Sequence, residues 1–216
     1  MNKTVIFDLD GTLLNTLSDL ADSMNESLRI LGFSGYATEK YRYFVGNGVR
    51  ELARGVLPEG KKDDESIDRL LKIYNGIYTK NQFNKTAPYD NIEEAVTALK
   101  AKGFSVWVLS NKPDPNTKMI AAHYFGDLFD GVMGQSDAFP RKPDPAAALH
   151  ILERTETAPE NAFFVGDSST DMKTAKAAGV TAVGVTWGFR DEPELLENGA
   201  DIIAHAPLEL PDLIKF

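Results

Sequence analysis

Thr4-Val5-Ile6-Phe7-Asp8-Leu9-Asp10-Gly11-Thr12 is the stretch that decides how this chain is read. Four β-branched or aromatic residues make a short apolar run of the kind buried on both faces of a parallel sheet. Two carboxylates, two residues apart, follow at once. In open α/β sheets ligands gather beyond the carboxyl ends of strands, which is where Asp8 and Asp10 would lie. Asp-Gly is also a common turn dipeptide. Taken alone, the stretch reads equally as a turn and as a ligand site.

Working outward, similar runs recur at Val106–Leu109, Ala162–Val165 and Thr181–Thr186, with a weaker one at Asp201–Ala204. Helical patterns separate them. Ile92, Ala95, Val96 and Leu99 follow the i, i+3, i+4, i+7 template between Asp90, read as an N-cap with Glu93 completing a capping box, and Gly103, read as a stop. Thr170–Ala178 before Gly179 repeats the signature. Strands alternating with helices predict an α/β fold, a doubly wound, mostly parallel, Rossmann-like sheet. The region 15–84 differs. Leu17, Leu20, Met24, Leu28 and Leu31 mark one amphipathic helix and Ile67, Leu70, Leu71, Tyr74, Ile77 and Tyr78 another, with Pro58–Ser66 read as a loop. The predicted organisation is an α/β core of residues 1–14 and 85–216 with an inserted helical domain of residues 15–84. Two connections, near Leu14–Thr16 and Asn81–Pro88, would let that domain move over the strand ends.

Each later strand end also carries polar groups. Val106–Leu109 runs into Ser110-Asn111-Lys112, a hydroxyl, an amide and a cation. Ala162–Val165 runs into Gly166-Asp167-Ser168-Ser169, with Asp171 four residues after Asp167; between the two, Lys142 precedes Pro143 near a helix start. Singly, these read as loop, helix cap and surface charge; together they put acids, a hydroxyl, an amide and a lysine at neighbouring strand ends. That set suits phosphoryl transfer. A carboxylate approaching a phosphate meets a repulsion of about 5 kcal/mol per pair of unit charges, at ~3.5 Å and an effective dielectric of roughly 20. A hard cation with oxygen ligands offsets it, and Mg²⁺ fits carboxylates plus a substrate phosphate. A lysine and neutral donors hold the remaining phosphoryl oxygens, and a second carboxyl can work as general acid and then base.

In these motifs the chain resembles the haloacid-dehalogenase superfamily of phosphohydrolases, and within it the phosphoglycolate phosphatase group. Asp8-Leu9-Asp10-Gly11-Thr12 resembles the first motif, Ser110-Asn111 the second, Lys142 with Pro143 the third, and Gly166-Asp167 through Asp171 the fourth; the helical insertion resembles the family's cap domain. The resemblance implies that Asp8 is the nucleophile and Asp10 the general acid and base. It implies that Asp8, the main-chain carbonyl of Asp10 and Asp167 hold Mg²⁺, with Asp171 in support, and that Thr12, Ser110, Asn111 and Lys142 bind the phosphoryl group. Superfamily members that break carbon–halogen bonds lack the second acid of the first motif, so the resemblance disfavours dehalogenation. The substrate it implies is a small phosphorylated metabolite, 2-phosphoglycolate first. A sugar-phosphate mutase or a pyrophosphatase could use the same core; a receiver-type phospho-acceptor module is opposed by Asp10 and by the insertion.

Within the insertion, Phe44-Val45-Gly46-Asn47-Gly48-Val49-Arg50 resembles the family's cap loop. Two glycines around Asn47 allow positive φ and close backbone approach, and Arg50 could grip a carboxylate. The segment reads equally as a helix–helix turn with a surface arginine. Trp107 and Trp187 are read as packing residues, and His123 as facing a neighbouring helix.

Composition narrows the partners. The chain has 216 residues, no cysteine and a net charge of −9, which excludes disulfides and thiolate metal sites and argues against nucleic acid or an anionic membrane. No apolar run is long enough for a membrane span, and the N-terminal apolar run is too brief for a signal peptide. The expectation is a cytoplasmic protein, monomer or homodimer.

Overall fold

The computed structural model describes residues 2–215. Strand β1 (Thr4–Phe7) is wholly buried and leads through β2 (Leu14–Asn15) into three helices, α1 (Leu17–Ile30), α2 (Val49–Val56) and α3 (Asp64–Asn81). The chain returns through β3 (Ala87–Pro88), which pairs with β2. The remainder alternates: α4 (Ile92–Ala101), β4 (Ser105–Pro113), α5 (Asp114–Phe125), β5 (Gly131–Gln135), α6 (Ala146–Arg154), β6 (Ala162–Gly166), α7 (Ser169–Ala178), β7 (Thr181–Val185), α8 (Glu192–Glu197), β8 (Ile202–Ala204) and α9 (Leu210–Leu213). Two units result, one of residues up to Leu14 with Pro88 onward, the other Asn15–Ala87.

In the α/β unit the six strands lie in the order β5-β4-β1-β6-β7-β8. All the pairings are parallel, and β1 registers Thr4 against both Ser105 and Ala162. From β1 the chain winds outward to β4 and β5, then returns to β6 on the other side of β1. The winding therefore reverses between β1 and β6, the crevice where open α/β sheets bind ligands. Ile6, Trp107, Leu109, Ala162 and Phe164 pack on Ala147, Ala148 and Ile151 of α6 and Met172 and Ala175 of α7. Alternate residues Val5, Phe7, Val106 and Val108 are equally buried, so the sheet is covered on both faces.

The sequence does not predict β5. Gly131 and Gly134 break its apolar run, and the strand is only half-buried. Gly131 has a packing cause: a Cβ there would stand 2.2 Å from the Trp107 ring. Helix α4 departs from expectation at its start, because Asn91, at φ 62°, occupies the N-cap without a side-chain cap and Asp90 lies outside. Gly103 and Gly179 follow their helices in left-handed conformations as expected.

In the helical unit Leu20, Met24 and Leu28 of α1 and Ile67, Leu70, Tyr74 and Tyr78 of α3 form the buried faces. Helix α3 starts at Asp64, inside the stretch read as loop, because the Asp63 side chain accepts from Ser66 N at 2.9 Å. The return boundary falls at Pro88 rather than at residue 85 for an equally local reason. The buried Asp19 carboxylate accepts from the backbone N–H groups of Lys85 and Thr86 and from the Thr86 hydroxyl, all at 2.8–3.0 Å, tying that segment to α1.

Candidate active site

Asp8 continues β1, its N–H bonded to the Val165 carbonyl at 2.9 Å. Its carboxylate is buried, with Oδ1 2.8 Å from Lys142 Nζ. Lys142 meets this oxygen as an ion pair, and no further hydrogen bond reaches it among the described residues. Lys142 Nζ also meets Asp171 Oδ1 at 2.7 Å and lies 5.3 Å over the Phe164 ring. Asp8, Asp167 and Asp171, all buried, offer oxygens within 4.8 Å of one another.

Burial pushes the Asp8 carboxyl up to about 7; Lys142 opposes the shift, while Asp171 and Asp10 add to it. Burial likewise raises Asp167 well above the ordinary aspartate range, helped by the charges of Asp171 and Asp8 and opposed by the Phe189 N–H and Arg190. For Lys142 burial works against the charge, but Asp171 and Asp8 outweigh it and hold the ammonium above its ordinary range. Asp8, Asp10, Asp167 and Asp171 outnumber Lys112, Lys142 and Arg190 by one charge. A hard divalent cation fits this donor set: it would balance the excess and use the open acceptor direction on Asp8.

Local folding fixes each partner. β4 shifts register between Leu109 and Pro113, and Ser110, Asn111 and Lys112 are all buried there. Asn111 brackets the Lys142 backbone: its Oδ1 accepts from Lys142 N at 2.9 Å and its Nδ2 donates to Lys142 O at 3.0 Å. Lys142 is joined to Pro143 by a cis peptide and precedes helix α6 by four residues, so it sits in the loop rather than in the first turn. Ser110 Oγ accepts from Lys112 N at 3.3 Å, which leaves its proton available to donate. Ser168 caps α7 and Asp171 Oδ2 accepts from its N–H and hydroxyl, so this stretch is a helix cap and part of the acid cluster at once. Thr12 donates to Asp167 Oδ1 at 3.3 Å. Gly11 lies so close to Asp167 that a Cβ would stand 2.3 Å from Oδ2, and its φ of +91° disfavours any other residue.

Three groups went without a role in the sequence reading. Lys112 Nζ lies 2.8 Å from both carboxylate oxygens of Asp10. Trp187, expected only to pack, donates its indole N–H to the Thr12 carbonyl at 3.0 Å, and Phe189 N donates to Asp167 Oδ2 at 2.7 Å. The available signal was position, since residues 186–190 follow β7 at the same edge of the sheet. Trp107 packs as expected, whereas His123 is exposed against Tyr124 instead of facing a helix.

The cap-loop residues Gly46, Asn47, Gly48 and Arg50 belong to the helical unit. Gly46 and Gly48 have φ of 121° and 86°, and Gly48 is the N-cap of α2. Arg50 donates to Asp68 at 2.5 Å and Asp64 at 2.8 Å within that unit.

Buried acids and an ammonium group thus meet at the reversal point of a doubly wound, Rossmann-like sheet. The chain belongs to the haloacid dehalogenase-like hydrolases, whose family model matches residues 5–185. It is 33% identical to the phosphoglycolate phosphatase of Nitrosospira multiformis over 99% of this chain and 96% of that one. The phosphoglycolate phosphatase of Psychrobacter arcticus is 35% identical over 87% and 84%. A crystal structure of a predicted phosphoglycolate phosphatase from Haemophilus somnus superposes with a TM-score of 0.91 at 28% identity, covering 99% of this chain and 98% of that one. No helix among the described residues is long and apolar enough to cross a membrane.

Proposed function

We propose that this chain is a Mg²⁺-dependent phosphatase that hydrolyses a small phosphorylated metabolite, 2-phosphoglycolate first, through an aspartyl-phosphate on Asp8. The buried pairing of Asp8 with Lys142 beside Asp167 and Asp171 carries this reading. The names of the full-length relatives support the substrate.

Asp8 attacks phosphorus and the ester P–O bond breaks, with Asp10 donating a proton to the departing alkoxide. Asp10 then takes a proton from the water that attacks phosphorus and releases Asp8 and inorganic phosphate. Lys142 orients Asp8 and neutralises phosphoryl oxygens, the Ser110 hydroxyl donates to them, and Asn111 holds the Lys142 backbone in place. Thr12 acts through Asp167. Mg²⁺, held by Asp8, the Asp10 carbonyl and Asp167 with Asp171 behind, would supply the positive charge that lets an anionic nucleophile approach an anionic phosphate. The Gly46–Gly48 loop sets specificity, and Arg50 joins it by leaving Asp64 and Asp68, exposed pairs of a kind that are weak. A net charge of −9 suits a cytoplasmic small-molecule enzyme with no nucleic-acid or membrane partner.

The test is inorganic phosphate release from 2-phosphoglycolate and a panel of phosphorylated metabolites with Mg²⁺ present. Release should stop on adding EDTA and in Asp8→Ala. Release that persists in Asp8→Ala removes the reading.

A further inference from the structure

The phosphatase reading leaves one buried cation without work. Lys142 is committed to Asp8 and Asp171, but Lys112 is engaged with the proposed acid and base itself. Its ammonium group lies 2.8 Å from Asp10 Oδ1 and 2.8 Å from Asp10 Oδ2, with side chains only 5% and 12% exposed. Lys112 is held at its root, because its N–H donates to Ser110 Oγ and its carbonyl accepts from Thr117 Oγ1 at 3.0 Å. The backbone thus aims a fixed ammonium group at the place where Asp10 must meet the leaving group. With both its oxygens on Lys112, Asp10 is engaged by the lysine.

We infer that Lys112 recognises a second anionic group of the substrate, a carboxylate adjacent to the ester, and that the Asp10 carboxylate fills this subsite in the free enzyme. This rests on the phosphatase reading and deepens it. Asp10 must approach the bridging oxygen to protonate it, so its neighbour Lys112 lies within reach of groups one or two bonds beyond that oxygen. In 2-phosphoglycolate the carboxylate stands at that separation. A carboxylate entering a buried site needs a counter-charge to offset its lost hydration, and an ammonium already shaped around one carboxylate supplies it. The exchange also couples recognition to chemistry: the substrate carboxylate takes Lys112, and Asp10 is released to turn toward the alkoxide. An ester without that group leaves Asp10 held.

The experiment compares 2-phosphoglycolate with ethyl phosphate, which keeps the two-carbon ester and lacks the carboxylate, in wild type, Lys112→Met and Lys112→Arg. Thermal melts confirm folding, and Lys112→Gln replaces the methionine variant if that one does not fold. The wild type should prefer 2-phosphoglycolate in kcat/KM. In Lys112→Met the ratio of the two kcat/KM values should fall by about ten- to a hundredfold, the range of one charge-assisted contact, with KM for 2-phosphoglycolate rising. Lys112→Arg, which keeps the charge, should restore part of the ratio. A ratio unchanged in Lys112→Met overturns the inference, whether both activities drop together, as when Lys112 only places Asp10, or neither drops. A wild type that cleaves both esters without preference also overturns it and leaves the phosphatase reading standing. Phosphate release from neither ester, while another phosphorylated metabolite of the panel is cleaved, overturns the inference and leaves the phosphatase reading standing; release from no member of the panel overturns both.

Discussion

The two units treat charge in opposite ways. In the helical unit, charged pairs stay at the surface: Arg50 with Asp64 and Asp68, Arg54 with Glu51, and Lys62 with Glu59. Its buried acid, Asp19, is spent on backbone N–H groups and a hydroxyl, so it builds the fold and nothing else. In the α/β unit, Asp8, Asp167, Asp171 and Lys142 are buried together, and burial, with the neighbouring acids adding to it, raises the pKa values of Asp8 and Asp167. Burying like charges side by side has no structural benefit. The contrast teaches that the α/β cluster buries more acid than its own cations offset, while the ion pairs of the helical unit lie exposed and can open at little cost.

Lys142→Met should break this comparison most visibly. Removing the ammonium leaves Asp8 and Asp171 buried without their cation, a loss of about 3–5 kcal/mol in chemical denaturation. Phosphate release should fall by about a hundredfold or more with it. Arg50→Met, by contrast, should leave the denaturation midpoint unchanged, since its partners are exposed. Asp19→Ala comes next. It strands two N–H groups at a buried site for about 1–3 kcal/mol and should leave kcat untouched, since Asp19 serves only its own unit.

The smallest effect is on acid stability. Burial pushes Asp130 and Asp201 up, but Lys100 with the Val106 N–H, and Lys176 with the Ala182 N–H, outweigh it and hold both carboxyls below the ordinary 3.8. A lowered folded pKa contributes stability that is present above the unfolded value and is lost as pH falls through the folded one. Melting temperatures of Asp130→Asn and Asp201→Asn should therefore lie below wild type at pH 6 and converge on it toward pH 3.

Most of the α/β frame was legible because β1, β4, β6 and β7 are continuous apolar runs ending in polar residues. Strand β5 was not, because Gly131 answers to the Trp107 ring and Gly134 to Asp114, Thr117 and the Lys112 carbonyl, tertiary contacts with no local signature. Asp8 and Asp167 could be read as one group from strand-end position, and Lys142 joined them only through the resemblance of its motif. The pairing of Lys112 with Asp10 could not, because it depends on a register shift near the end of β4. The work of Asn111 on the Lys142 backbone and of Trp187 on Thr12 was equally hidden, since each spans distant segments through a side chain whose direction no periodicity sets.

The covalent step offers the most direct test. An Asp10→Asn variant, slowed in hydrolysing the intermediate, is mixed with 2-phosphoglycolate and Mg²⁺, quenched in acid and reduced with borohydride, which converts an acyl phosphate on aspartate to homoserine. Peptide mass spectrometry should place homoserine at position 8 and nowhere else. An unmodified Asp8 in enzyme that is still releasing phosphate, or homoserine at another acid, would contradict the account.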